Sequence, residues 1–188
     1  MAAPVEYHVP QARLPFLKTA PALDGEVHEE EWAGAARMEG LGYGPTLSPQ
    51  AASFWVGCDG REVFIAMISE TPPNGKLLSR VNPQSENGDA RTWMDDSVEL
   101  VLDPLRSDPT DRRRLYHANL NAKGAINDTA YKPSGGGEAW RGHWRTASKI
   151  IGNRWHFEAA LPLKDMNVQE ADLQQPFGIR VVRNWKQY

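Results

Sequence analysis

Along most of this chain apolar and polar residues alternate with a period of two, the pattern of strands with one buried face. In 53–58, Phe54, Val56 and Cys58 share one side; Asp59-Gly60 then marks a turn into a second strand, 63–68, which predicts a β-hairpin. In 96–103, Val98, Leu100 and Leu102 oppose Ser97, Glu99 and Val101, and Pro104 ends the run. In 112–121, Tyr116, Ala118 and Leu120 oppose His117, Asn119 and Asn121. Segments 144–151 and 154–161 flank Gly152-Asn153, a second hairpin signal, with Trp155, Phe157, Ala159 and Leu161 on one side. A final strand is predicted over 177–185. One stretch breaks the alternation: 28–38 (HEEEWAGAARM) puts Trp32, Ala35 and Ala36 near one face of a helix and predicts one to three turns.

Turn signals recur at roughly 8–12 residues, the spacing of an antiparallel sandwich or barrel. The chain thus reads as all-β: an antiparallel β-sandwich, immunoglobulin- or jelly-roll-like, with one short helix. Residues 1–20 read as an extended Pro/Ala-rich lead-in and 21–188 as the sandwich domain. Two stretches read as loops, 71–92 and 134–140, and the first is long enough to suggest a binding loop or a disordered one.

Composition narrows the function. In 188 residues there are 21 Lys+Arg and 24 Asp+Glu, a net charge of -3. Nothing in that balance favours a phosphate backbone, so nucleic acid is not an expected partner. No apolar run approaches the ~18 residues of a membrane-spanning helix. Residues 1–10 (MAAPVEYHVP) show neither the charged nor the apolar region of a secretory signal. Cys58 is the only cysteine, which excludes an intrachain disulfide and a thiolate metal cluster. Seven tryptophans exceed what a core of this size demands, so some are expected on a binding surface.

The common catalytic motifs are missing: no G-x-S-x-G, no Walker loop and no H-E-x-x-H. Asp95 and Asp96 read as strand-start residues with solvated charges rather than as an acid/base pair. None of His8, His28, His117, His143 and His156 stands at zinc-ligand spacing to another. The face carrying His117, Asn119 and Asn121 is different, because asparagine is depleted in strands. Such a face offers fixed donors and acceptors to sugar hydroxyls, and an indole offers a flat surface to the apolar face of a pyranose. Strand parity would point Trp93, Ser97 and Glu99 the same way, giving an aromatic platform beside a carboxylate.

ALDGEVHEEEW (22–32), FWVGCDGREVFIAMIS (54–69), WMDDSVELVLDP (93–104), YHANLNAKG (116–124), WHFEAALPL (155–163) and FGIRVVRN (177–184) follow in that order. The series resembles the family 9 carbohydrate-binding modules and their DOMON-like relatives over roughly residues 20–185. The resemblance implies a β-sandwich that binds saccharides without catalysis, as a secreted or cell-surface module of a larger glycoside hydrolase. It implies that Trp93 forms one wall of an aromatic clamp and that Glu99 hydrogen-bonds sugar hydroxyls. The family's Arg and Asn on the next strand correspond to His117 and Asn119, so the Asn is kept and the Arg is not. The family's second clamp Trp follows the strand matching 177–184; either that wall lies beyond this chain's end, or the clamp has one wall, or Trp185 substitutes. The family also implies a structural calcium, for which no ligands are assigned. With no strand after 177–185, the sheet would end in an open edge suited to a homodimer. Two other readings go with the same fold. One is a b-type haem electron-transfer domain, with Met38, Met67, Met94 and His117 as candidate axial ligands. The other is a cell-surface interaction domain with a degenerate sugar site.

Overall fold

The computed structural model describes residues 13–43, 46–83, 91–106, 108 and 111–186. Its strands are β1 (Ala36–Glu39), β2 (Gly42–Tyr43), β3 (Thr46–Leu47), β4 (Ala52–Cys58), β5 (Glu62–Glu70), β6 (Ser97–Asp103), β7 (Leu115–Asn121), β8 (Ile126–Tyr131), β9 (Gly137–Glu138), β10 (Arg145–Ile151), β11 (Arg154–Pro162) and β12 (Gly178–Asn184). Ten of them form two five-stranded antiparallel sheets, ordered β1-β4-β5-β11-β10 and β12-β6-β7-β8-β9. Both predicted hairpins are present. Asp59 tightens the first by accepting hydrogen bonds from the Arg61 and Glu62 amides.

The alternating apolar positions meet between the sheets. Phe54, Val56, Ile65, Met67, Trp155 and Phe157 from the first pack with Val98, Leu100, Leu102, Tyr116, Ala118 and Leu120 from the second. Burial at this scale is the main stabilising term, about 25 cal/mol per Å² of apolar surface removed from water. The first sheet is also covered on its outer side. Residues from 14 onward cross it, with Leu17 bonded to Cys58 through the backbone. There Leu17, Val27 and Trp32 close over Trp55, Phe64, Ala66 and Ala160 as a second cluster. Gly57 permits this close approach, since a Cβ there would lie 2.7 Å from the Leu17 side chain. Strand β4 is accordingly buried on both faces, whereas β6 alternates buried with half-buried residues after Val98. Among the described residues, the sheet face left uncovered is the outer face of the second sheet.

The predicted helix over 28–38 is shorter than expected. Only Glu29–Trp32 winds, as a 3-10 turn, and Ala36–Glu39 pairs instead with β4. A left-handed Gly34 (φ 94°) separates the two, and pairing Met38 with Phe54 outcompetes a second helical turn. The strand predicted from 112 begins at Leu115. Arg112, Arg113 and Arg114 before it are held by Asp108, Asp103 and Glu138. His8 lies outside the described residues.

Glu158 fastens the outer layer to the first sheet. It is fully buried, and its Oε2 accepts hydrogen bonds from the Asp24 and Gly25 amides at 3.1 and 2.8 Å. Burial pushes its carboxyl up to about 7, against the partial opposition of those two amides. The folded state therefore holds a proton that the unfolded chain releases near 4.5. This contribution to stability is complete below that value and is lost as pH rises to about 7. Glu158→Gln keeps an acceptor for both amides and removes the ionisation. Thermal melts from pH 5 to 8 are expected to fall less steeply for the variant, by a difference on the order of 2–3 kcal/mol. Parallel curves would show that Glu158 does not titrate there.

Candidate functional site

Cross-strand register decides which polar residues share the uncovered face. Glu99 on β6 stands opposite Asn119 on β7, which stands opposite Asn127 on β8; on the other side Glu99 faces Val182 on β12. One row along, Val101, His117 and Thr129 align; in the other direction, Asn184, Ser97 and Asn121 do. Because strand side chains alternate, all of these point to the same side, away from the core. The sequence thus places amides, a carboxylate, an imidazole and hydroxyls on one surface.

The groups are fixed relative to one another. The His117 Nε2 lies 3.3 Å from the Glu99 Oε1, and the Asn184 amide donates to the Glu99 Oε2 at 3.2 Å. Glu99 and His117 are each about one quarter exposed; Glu99 is held by Asn184, whereas the His117 Nε2 is buried and has no hydrogen-bond partner among the described residues. Asn119 is 3% exposed, yet its Oδ1 has no hydrogen-bond partner among the described residues. A buried amide oxygen left unpaired costs stability unless something else supplies a donor.

Trp93 reaches this region by a route that strand parity does not anticipate. It sits in a 3-10 turn, Thr92–Met94, rather than on an extension of β6. That turn packs on β7, with the Thr92 hydroxyl donating to the Asn119 carbonyl at 2.9 Å. Asn121, on the same face, donates to Asp95 and to the Val81 carbonyl, which places the turn at the Asn119–Asn121 end of the face. Trp93 is 46% exposed there, while Trp32, Trp55 and Trp155 are buried.

The two aspartates after Trp93 are buried rather than solvated. Asp95 accepts from the Arg80 and Val81 amides and from Asn121; Asp96 accepts from the Leu78 and Lys186 amides and pairs with Arg183. They tie the described part of the 71–92 loop and the end of β12 to the sheet. Their dense N–H partners explain why such charged residues occupy the interior.

Trp185 is not brought to the face with Glu99. Asn184 points to that side, and Trp185 instead stacks on the guanidinium of buried Arg183, 4.6 Å from its ring centre. The same guanidinium lies 4.7 Å from Trp155 in the core. Trp185 borders a cavity of about 630 Å³ between β12 and the Leu41–Gly42 and Ser48–Gln50 segments, which Val182 and Asn184 also line. The edge of the sheet is β12, bonded to β6 alone among the described strands. Sequence reasoning misses Asn184 and Asn127. Asn184 lies in the FGIRVVRN segment, and its alternation there with Val182 is the available signal.

Two of the candidate haem methionines, Met38 and Met67, are not placed to act with His117. Met38 and Met67 lie on the first sheet's inner face, in register through Phe54, whereas His117 lies on the second sheet's outer face. Neither methionine can join His117 as an axial pair. Nor do three His, Cys, Asp or Glu side chains converge on one point among the described residues, so calcium ligands remain unassigned. No helix among those residues is long and apolar enough to cross a membrane.

The fold of two antiparallel sheets is similar to that of the family 9 carbohydrate-binding modules. A structure from Bacteroides uniformis, inferred to be a carbohydrate-binding protein, superposes with a TM-score of 0.59 at 14% identity, covering 94% of this chain and 90% of that one. A family 9 module from Caldicellulosiruptor kristjanssonii bound to cellotriose gives 0.52 at 18% identity, covering 80% and 67%. Such a module from the same organism bound to glucose gives 0.55 at 17%, covering 89% and 74%. Neither a scan of family models nor a search of curated proteins returns a match.

Proposed function

We propose that this chain is a non-catalytic saccharide-binding module whose ligand lies on the outer face of the second sheet, stacked on Trp93 and hydrogen-bonded by Glu99, His117 and Asn119. The observation that supports this reading is an exposed indole on a turn hydrogen-bonded to β7, the strand that carries part of a row of oriented polar groups on the outer face. One of these, the Asn119 Oδ1, is buried without a partner among the described residues. Sugars supply what such a face lacks: hydroxyl donors for carboxylate and amide oxygens, and an apolar ring face for an indole. Asn184 orients Glu99 from the neighbouring strand, so the carboxylate is preorganised before a ligand arrives. The fold's likeness to modules solved with glucose and cellotriose supports the ligand class. A module of this kind would act outside the cell as part of a larger protein that works on polysaccharides, concentrating it on its substrate.

Titration calorimetry of the purified chain with glucose and with cellotriose tests the reading. Saturable one-to-one binding is expected. Heats no larger than dilution for both sugars at millimolar concentration, and for other mono- and oligosaccharides, would overturn it.

A further inference from the structure

We infer that the site holds a short linear oligosaccharide rather than one sugar ring, and that Tyr131 is a second stacking platform, at the end of the face opposite Trp93. The inference rests on the proposed saccharide reading and extends it to ligand length.

Tyr131 is the last residue of β8, opposite Leu115, and shares the outer face with Thr129 and Asn127. Its ring centre lies 6.4 Å from that of His117, in the middle of the face. It is 38% exposed, one of the few large aromatics of the chain that solvent can reach. The floor beneath it is small. Gly137 on β9 pairs with Tyr131, and a Cβ there would fall 3.4 Å from the tyrosine Cε1. The ring thus lies along the sheet over a residue without a side chain, which leaves its other face to solvent.

The two aromatics bracket the polar row. Trp93 is anchored at Asn119 through Thr92, and Tyr131 stands level with Leu115. Four residues along β7 separate those levels, roughly 13 Å at strand rise, which exceeds the width of a single pyranose. Between them lie His117, Glu99, Asn119 and Thr129, alternating donors and acceptors across adjacent strands. A single ring on Trp93 would leave Tyr131 idle. A chain of equatorially hydroxylated pyranoses running along β7 uses both, with its central hydroxyls over the His117–Glu99 pair.

Calorimetric titration of the wild type, Tyr131→Ala and Tyr131→Phe with glucose and with cellotriose tests the assignment. The wild type is expected to bind cellotriose more tightly than glucose. Tyr131→Ala should weaken cellotriose by about fivefold or more and leave glucose within about twofold, and Tyr131→Phe should retain most of the cellotriose affinity, because the flat ring is the contributing group. Equal affinity for the two sugars in the wild type, or a Tyr131→Ala variant whose preference is unchanged, would overturn the inference and leave the saccharide reading standing. Binding of neither sugar by the wild type would overturn both.

Discussion

Replacing Trp93 with alanine is expected to lower saccharide affinity at least tenfold while leaving the melting temperature within a few degrees of wild type. The two halves of this expectation have separate causes. Trp93 is nearly half exposed, so its indole contributes little to the core. Its turn is held instead by backbone and hydroxyl contacts: the Met94 amide to the Arg91 carbonyl and the Thr92 hydroxyl to Asn119. These survive loss of the ring. A bound sugar, however, buries its apolar face on that ring, and removing such a surface costs about 1.5–3 kcal/mol, a factor of roughly ten or more in affinity. Calorimetry and a melt on the same sample measure both halves. An unchanged dissociation constant would remove Trp93 from the site; a collapsed melt would make it a structural residue.

Asp95→Ala should have the largest effect on stability. The carboxylate is 1% exposed and satisfies three donors, the Arg80 and Val81 amides and the Asn121 side chain, at 2.9–3.0 Å. Alanine leaves the buried Asn121 donor and the partly buried Arg80 and Val81 amides without this acceptor; at about 1–3 kcal/mol for the buried donor and less for the other two, a loss of about 3 kcal/mol is expected. For a domain of this size that corresponds to a fall of roughly 6–12 °C in melting temperature. The loss has a functional side. Asp95 immediately follows the turn bearing Trp93, and it joins that turn to Asn121 and to the loop before it. Affinity should fall in Asp95→Ala even below the melt. Asp95→Asn, which keeps one acceptor oxygen, should lie between the alanine variant and the wild type. A melting temperature unchanged by Asp95→Ala would show that the loop is not held by this residue.

The sandwich was legible because its strands are amphipathic: a period of two in 53–58, 96–103 and 154–161 is enough to name the inward residues. The two hairpins were legible from Asp59-Gly60 and Gly152-Asn153, whose turn chemistry is local. What failed were elements settled by distant partners. Helical spacing in 28–38 yielded to pairing between Met38 and Phe54, and the charges of Asp95 and Asp96 yielded to donors from 78–81 and 186. Within the site, His117 and Asn119 were visible as a polar face, since two residues of one strand share a side by arithmetic alone. Asn184 and Tyr131 were not, because their membership depends on which strands flank β6 and β7. Trp185 looked suitable by type and position; strand parity at Asn184 and the stack on Arg183 turn it elsewhere.

The most direct test of where the ligand sits is a two-dimensional ¹⁵N NMR titration of the wild-type chain with cellotriose, following the indole N–H signals together with the backbone amides of β6, β7 and β8. The Trp93 indole and the amides around Glu99, His117 and Asn119 are expected to shift together and saturate, while the buried Trp32 and Trp155 indoles stay in place. Shifts confined to Trp185 and the strands around the cavity beside β12 would contradict this and move the binding site to the sheet edge.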